Sequence, residues 1–150
     1  MKLIVACDPK GGIGYKNKLP WDKIQGDLPR FKRLTDDCVI VMGRKTWESL
    51  PKKPLPNRTN LIITSQLMVH LPDDAFTTMT IDDITDDAWI IGGAQLINSS
   101  WEKIHEVHLT KTYTEYTCDV FIDLLYLENN FVRIHNEVFP DHEYQIWKRK

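Results

Sequence analysis

Cysteine is scarce in this 150-residue chain, with Cys7, Cys38 and Cys118 the only three. The odd number and wide spacing exclude a disulfide framework and a C-x-x-C ligand pair, and they imply a reducing compartment. An excess of one charge sign is missing too. With 19 basic and 21 acidic side chains the net charge is −2. That excludes a general nucleic-acid backbone binder, because no strong positive field exists to displace counterions. No apolar run approaches the ~18 residues that would suggest a membrane span. The opening MKLIVACDPKGG holds only a five-residue apolar stretch, LIVAC, too short for a signal peptide, and it reads as a first strand. The G-x-S-x-G and paired Cys–His signals of nucleophilic catalysis are absent. His105 and His108 fall on opposite sides of an apparent strand with no third ligand nearby, so no metal is expected. The expectation is a cytoplasmic protein, and a monomer, since no large apolar stripe is left unassigned.

What is present suits one ordinary globular domain over 1–150. Hydrophobic residues make up 42% and charged residues 27%, enough to bury a core under a soluble surface. Apolar runs bounded by Gly, Pro or Asp recur at KLIVAC (2–7), CVIVM (38–42), NLIIT (60–64) and AWIIG (88–92). They are β-branched and apolar on both alternating faces, which predicts strands buried in a parallel or mixed sheet. Helix-like segments cover 25–35, 44–50 and 94–101, while 105–112, 131–138 and 143–150 alternate as half-exposed antiparallel strands. The fold class is therefore α/β, a central and mostly parallel mixed sheet flanked by helices and closed by a C-terminal antiparallel hairpin. Ligands in such folds bind beyond the carboxyl ends of strands.

Those ends carry informative sequence. DPKGGIGYKNKLPW (8–21) lacks the third glycine of a dinucleotide fingerprint and the G-K-[ST] of a P-loop. A loop of that length is either a mobile lid or a long connection. Gly43-Arg44-Lys45-Thr46 opens a helix with two cations that oppose the helix dipole, which favours a ligand phosphate over a merely solvated first turn. Thr64 and Ser65 end another strand, and Gly92-Gly93-Ala94-Gln95 opens another helix. Singly these are turn residues as readily as ligands. Together they suggest an extended, phosphate-bearing cofactor.

Asp27 is the sharpest single clue. At ~100° per residue, Ile24, Leu28, Phe31 and Leu34 form one apolar stripe, and Asp27 falls inside it. A carboxylate on a core-facing stripe costs several kcal/mol unless it is partnered. Either it caps the helix, with Pro29 in the first turn, or it waits in an apolar pocket for a cationic or amidine-like ligand.

In order and spacing, IGYKNKLPW (13–21), DLPRFKRLT (27–35), VIVMGRKTWESL (39–50), PLPNRTNLIITS (54–65), WIIGGAQL (89–96) and HLTKTY (108–113) resemble the dihydrofolate reductase family over nearly the whole chain. The resemblance implies reduction of 7,8-dihydrofolate with NADPH, and antifolate inhibitors as further ligands. It implies that Asp27 binds the pterin, orienting it and promoting N5 protonation. Ile4, Ala6, Leu28, Phe31, Leu50, Lys53 and Thr110 would line the substrate pocket, with Thr110 bonding Asp27. Arg58 would pair with the substrate's glutamate carboxylate, a natural bidentate role. Gly43, Arg44, Lys45, Thr46, Thr64 and Ser65 would hold the adenosine end and its 2′-phosphate. Gly92 and Gly93, joined in the family by a cis peptide, would lead with Ala94, Gln95 and Leu96 into the diphosphate site. Residues 8–21 would be the lid, with Ile13, Gly14, Asn17, Lys18, Leu19 and Trp21 closing over nicotinamide and substrate beside Ala6.

Four positions depart from the family pattern. Gln95 replaces an arginine near the 2′-phosphate, Ile97 an aromatic near the nicotinamide, Lys16 an acidic lid residue, and Cys118 a glycine in the loop that buttresses the lid. Two other readings use the same architecture, a catalytically silent nucleotide- or pterin-binding protein and a pyrimidine reductase of the riboflavin pathway. A silent binder has less need for Asp27, Trp21 and Arg58 as a full set, and the pyrimidine reductase reading does not account for Asp27 together with Arg58.

Overall fold

The computed structural model describes residues 1–66, 68 and 70–150. Its elements follow the chain as β1 (Lys2–Cys7), β2 (Gly12–Gly14), α1 (Asp27–Thr35), β3 (Val39–Gly43), α2 (Arg44–Ser49), β4 (Thr59–Ile63) and β5 (Ala75–Thr78). Then come β6 (Trp89–Gly92), α3 (Ala94–Ser99), β7 (Glu106–Thr112), β8 (Val120–Phe121), α4 (Leu124–Asn130), β9 (Phe131–Val138) and β10 (His142–Arg149). One eight-stranded sheet has the order β5-β4-β3-β6-β1-β7-β10-β9. Its strands from β5 to β7 pair in parallel, and β10 runs antiparallel to both β7 and β9. The expected architecture is the observed one.

Period-two alternation splits the apolar runs between two cores. Ile40, Met42, Ile62 and Trp89 face one side of the sheet, where they meet Trp47 of α2 and Leu34 of α1. Leu3, Val41, Ile90, Val107 and Leu109 face the other, against Ile97, Trp101, Leu127 and Phe131. Each fully buried side chain of this kind contributes about 1.5–3 kcal/mol relative to exposure. Both sheet faces are therefore covered, as near-continuous apolar strands require.

Several expectations need correction. The segment over 105–112 is not half-exposed: β7 is buried along most of its length, parallel to β1 on one side and antiparallel to β10 on the other. Its polar residues His108, Thr110 and Thr112 go inside because each is hydrogen-bonded there. The apolar stripe of α1 also fails. Leu28 is 70% exposed, and Ile24 is buried but precedes the helix. The helix instead buries Arg30 and Thr35. The expected helix over 94–101 stops at Ser99 and continues as a 3₁₀ turn at Trp101–Lys103. The sequence reading passed over β5, the small β2–β8 pair and α4, which Asp123 caps by accepting the Tyr126 N–H at 3.0 Å.

Candidate active site

Asp27 is the first residue of α1, following Gly26 in a left-handed conformation at φ 81°. Its side chain does not cap the helix. One carboxylate oxygen, Oδ1, instead accepts the Thr110 hydroxyl at 2.7 Å. Thr110 stands on β7 opposite Ala6 of β1 and Tyr144 of β10, near the carboxyl edge of the parallel strands. The capping alternative is thus removed, and a half-buried carboxylate lies at the sheet edge where ligands bind in such folds.

Beneath Asp27 lies a group absent from the expected site. The Arg30 guanidinium donates to Thr110 Oγ1 at 3.3 Å and to His142 Nε2 at 3.2 Å. The ring of Tyr144 lies 4.2 Å from its central carbon, and that of Phe139 5.0 Å. His142 Nδ1 in turn lies 2.7 Å from Asp141 Oδ1. Asp141 also accepts the Gln25 N–H, and these two bonds, that of Gln25 foremost, hold its carboxyl below the ordinary carboxylate value. The i,i+3 spacing of Asp27 and Arg30 places them on one helix face and was the available signal for this cluster. No local pattern ties either to His142.

The 8–21 segment is folded against the 113–121 loop. Asp8 is buried, its Oδ1 accepting N–H groups of Lys10 and Gly12 and its Oδ2 that of Tyr116. Gly12 and Gly14 pair with Phe121 and Val120, and the Lys16 N–H reaches Asp119 Oδ2 at 3.0 Å. Tyr15 and Lys18 exchange both backbone hydrogen bonds around Lys16 and Asn17, whose φ values of 50° and 65° make a tight two-residue hairpin turn. Trp21 is buried edge-on against Tyr116, while Leu19 is exposed. Ile13 and Gly14 are half-buried and Lys18 is exposed. The 8–21 segment thus carries its own hairpin and is docked on a second loop.

Across the carboxyl edge, α2 and α3 begin at Gly43 and Gly93. The Gly92–Gly93 peptide is cis. A Cβ on either glycine would stand 3.3 Å from Thr46 Oγ1, and one on Gly43 would approach Gly93 N at 3.9 Å. These bare glycines form a cradle closed by the Thr46 hydroxyl at the start of two helices. Arg44 pairs with Glu48 at 2.5 Å one turn on, and an open cleft of about 280 Å³ is lined by Asn17, Arg44, Lys45, Glu48 and Ser49. Asn17 at the hairpin tip and the two expected cations therefore line one cleft. Thr64 Oγ1 accepts the Gln66 N–H, Ser65 and Gln95 are exposed, Leu96 is half-buried and Ala94 is buried.

Of the residues expected to line the substrate pocket, Ile4, Ala6, Phe31 and Leu50 are half-buried, and Lys53 is exposed and precedes cis Pro54. Arg58 is buried, donating to Pro56 O at 2.9 Å and to Thr35 Oγ1 at 3.0 Å, with its guanidinium over the Phe31 ring. Of the departures, Ile97 is a core residue, and the Cys118 side chain lies against Gly12. Burial foremost, and Asp8 next, push its thiol above the ordinary value.

A family model for dihydrofolate reductase matches residues 1–148. The dihydrofolate reductase type 8 of Escherichia coli is 33% identical over 163 aligned positions, covering 100% of this chain and 96% of that protein. The dihydrofolate reductase of Ureaplasma parvum is 34% identical over 148 positions, covering 94% and 92%. A bifunctional dihydrofolate reductase-thymidylate synthase of Paramecium tetraurelia is 36% identical over 130 positions, which are 81% of this chain but 28% of that protein. With the match running through lid, carboxylate and glycine cradle alike, the chain belongs to the dihydrofolate reductase family of enzymes.

Proposed function

We propose that this enzyme reduces 7,8-dihydrofolate to 5,6,7,8-tetrahydrofolate with NADPH, in the cytoplasm and as a monomer. The observation that carries the reading is the Asp27 carboxylate, half-buried at the sheet edge, uncommitted to its own helix and fixed by the Thr110 hydroxyl. Such a group suits the amidine-like edge of a pterin, which offers two N–H donors side by side. Ile4, Ala6, Leu28, Phe31 and Leu50 supply the apolar walls. Arg58, held by Pro56 and Thr35, offers its charge to the carboxylate at the substrate's far end.

NADPH, when bound, supplies the hydride that reaches C6 of the pterin, so the organic chemistry belongs to the cofactor. The glycine cradle fits its diphosphate, and Arg44 and Lys45 fit the extra 2′-phosphate. Asp27 orients the ring and favours protonation at N5 through solvent, while the lid limits the water that enters. The test is direct. NADPH absorbance should fall when dihydrofolate is added and hold steady when it is omitted. A stable signal with well-folded protein overturns the reading.

A further inference from the structure

Arg30 is a cation only 7% exposed, and such a charge costs several kcal/mol to bury unless it is compensated. Its contacts are unusual for a buried cation. Among the described residues its hydrogen-bond partners are a hydroxyl and an imidazole, and its stacking partners are the rings of Tyr144 and Phe139. The carboxylates stand one group further away on each side, Asp27 beyond Thr110 and Asp141 beyond His142. The guanidinium has donors only, which fixes the sense of every bond around it. His142 Nε2 must present its lone pair to Arg30, so Nδ1 carries the hydrogen given to Asp141. Thr110 Oγ1 must accept from Arg30, so its own hydrogen is free to be given to Asp27. The file therefore runs Asp141, His142, Arg30, Thr110, Asp27, with each donor pointing outward from the central cation. His142 is fully buried, which holds the far end of this file in place.

We infer that Arg30 is a positioning residue for the Asp27 carboxylate, acting through the Thr110 hydroxyl and itself held by His142 and Asp141. This rests on the proposed reduction of dihydrofolate. The cation polarises the Thr110 hydroxyl and leaves it one hydrogen-bonding arrangement, so the carboxylate meets the pterin in one orientation. The rings of Tyr144 and Phe139 cover the guanidinium, adding cation–π attraction to its burial.

A double-mutant cycle tests the path. Arg30→Met and Thr110→Val are made singly and together, and dihydrofolate affinity is read by quenching of tryptophan fluorescence. NADPH affinity and the thermal midpoint are measured on the same samples. Arg30→Met should weaken dihydrofolate binding by roughly tenfold or more, the scale of a hydrogen bond involving a charged group. NADPH affinity should change by less than about twofold, a split that general loosening of the fold would not give. With Thr110→Val already present, adding Arg30→Met should cost less than about twofold, because the connecting hydroxyl is gone. The same cycle run with Arg30→Lys keeps a buried cation and the fold but loses the two-pronged donor, and should give a smaller coupling of the same sign. Full, additive losses in both cycles, or equal losses for NADPH, overturn the inference. A wild-type chain that binds dihydrofolate yet oxidises no NADPH overturns the proposed reaction instead, and the binding cycle still decides the role of Arg30.

Discussion

The Cys118 side chain occupies the space that a Cβ on Gly12 would need, its own Cβ lying 2.7 Å from that position. The 8–21 segment and the loop of Cys118 are thus fitted closely here, as they are where Gly12 and Gly14 pair with Phe121 and Val120. Gly12→Ala should destabilise the protein by about 1–3 kcal/mol, the usual cost of overpacking. Adding Cys118→Gly should restore most of the loss, measured by urea unfolding. No recovery in the double variant would assign the loss to Asp8 Oδ1, 3.1 Å from the same position, and not to Cys118.

Asp27 makes no cap, so its replacement should strike chemistry before stability. Asp27→Asn should slow single-turnover reduction at pH 7 by about 10²–10⁴-fold, the range of general acid–base assistance. Activity should partly recover at lower pH, where dihydrofolate protonated in solution needs less help. NADPH affinity should stay within about twofold. Near-normal turnover at pH 7 would remove Asp27 from the mechanism.

Arg44 is half-buried at the cleft beside Lys45 and, among the described residues, pairs with Glu48 alone. Such an i,i+4 surface pair contributes only about 0.3–0.5 kcal/mol, so the arginine is released cheaply to a ligand. Arg44→Ala should raise the NADPH Michaelis constant about tenfold and leave that for NADH nearly unchanged. Gln95, where the family pattern has an arginine, is exposed and uncharged, so the proposed preference for NADPH rests on Arg44 and Lys45. Equal losses with both cofactors would place the 2′-phosphate elsewhere.

His108 is buried between Tyr144 and Glu106, and burial foremost holds its pKa below the ordinary 6.5, outweighing the pull of Glu106. A depressed value means that the unfolded chain takes up the proton first as pH falls. The stability this residue lends is therefore complete above about pH 6.5 and is lost progressively below it. Unfolding free energy should already fall from pH 8, because burial foremost holds the N-terminal amine below its ordinary 8.0, and fall further below about pH 6.5, by at most about 1.4 kcal/mol per pH unit for each proton involved. His108→Gln should reduce that slope without abolishing it, because His105 is shifted the same way, by burial and then by the N-terminal charge. An unchanged slope in the variant would assign the acid sensitivity to other groups.

Local sequence carried the strands with apolar character on both faces. CVIVM and AWIIG declare themselves because β3 and β6 lie inside the sheet, covered above and below. Edge strand β5 has exposed Phe76 and Thr77, and β2 and β8 are three and two residues long, so no periodicity accumulates in them. Thr110 and His108 misled in the opposite way, since a polar residue that is hydrogen-bonded inside looks, in sequence, like one facing water. For the site, Asp27 was legible as an acid out of place on a helix. Arg30, three residues on and joined to it through Thr110, carries no such signal, because an apolar stripe on this helix points to the face of Leu28. His142 was beyond any local signal.

The span of the Asp27–Thr110–Arg30–His142 file along the chain has a kinetic consequence. Its links join residues 83, 80 and 112 positions apart. They close only when α1, the central strand β7 and the antiparallel strand β10 are all in register. Contacts of such separation are the slow ones to form, since the entropy of closing the intervening chain precedes their gain. During refolding, helical signal should return first and dihydrofolate binding last, so the substrate itself reports when the final strand has docked.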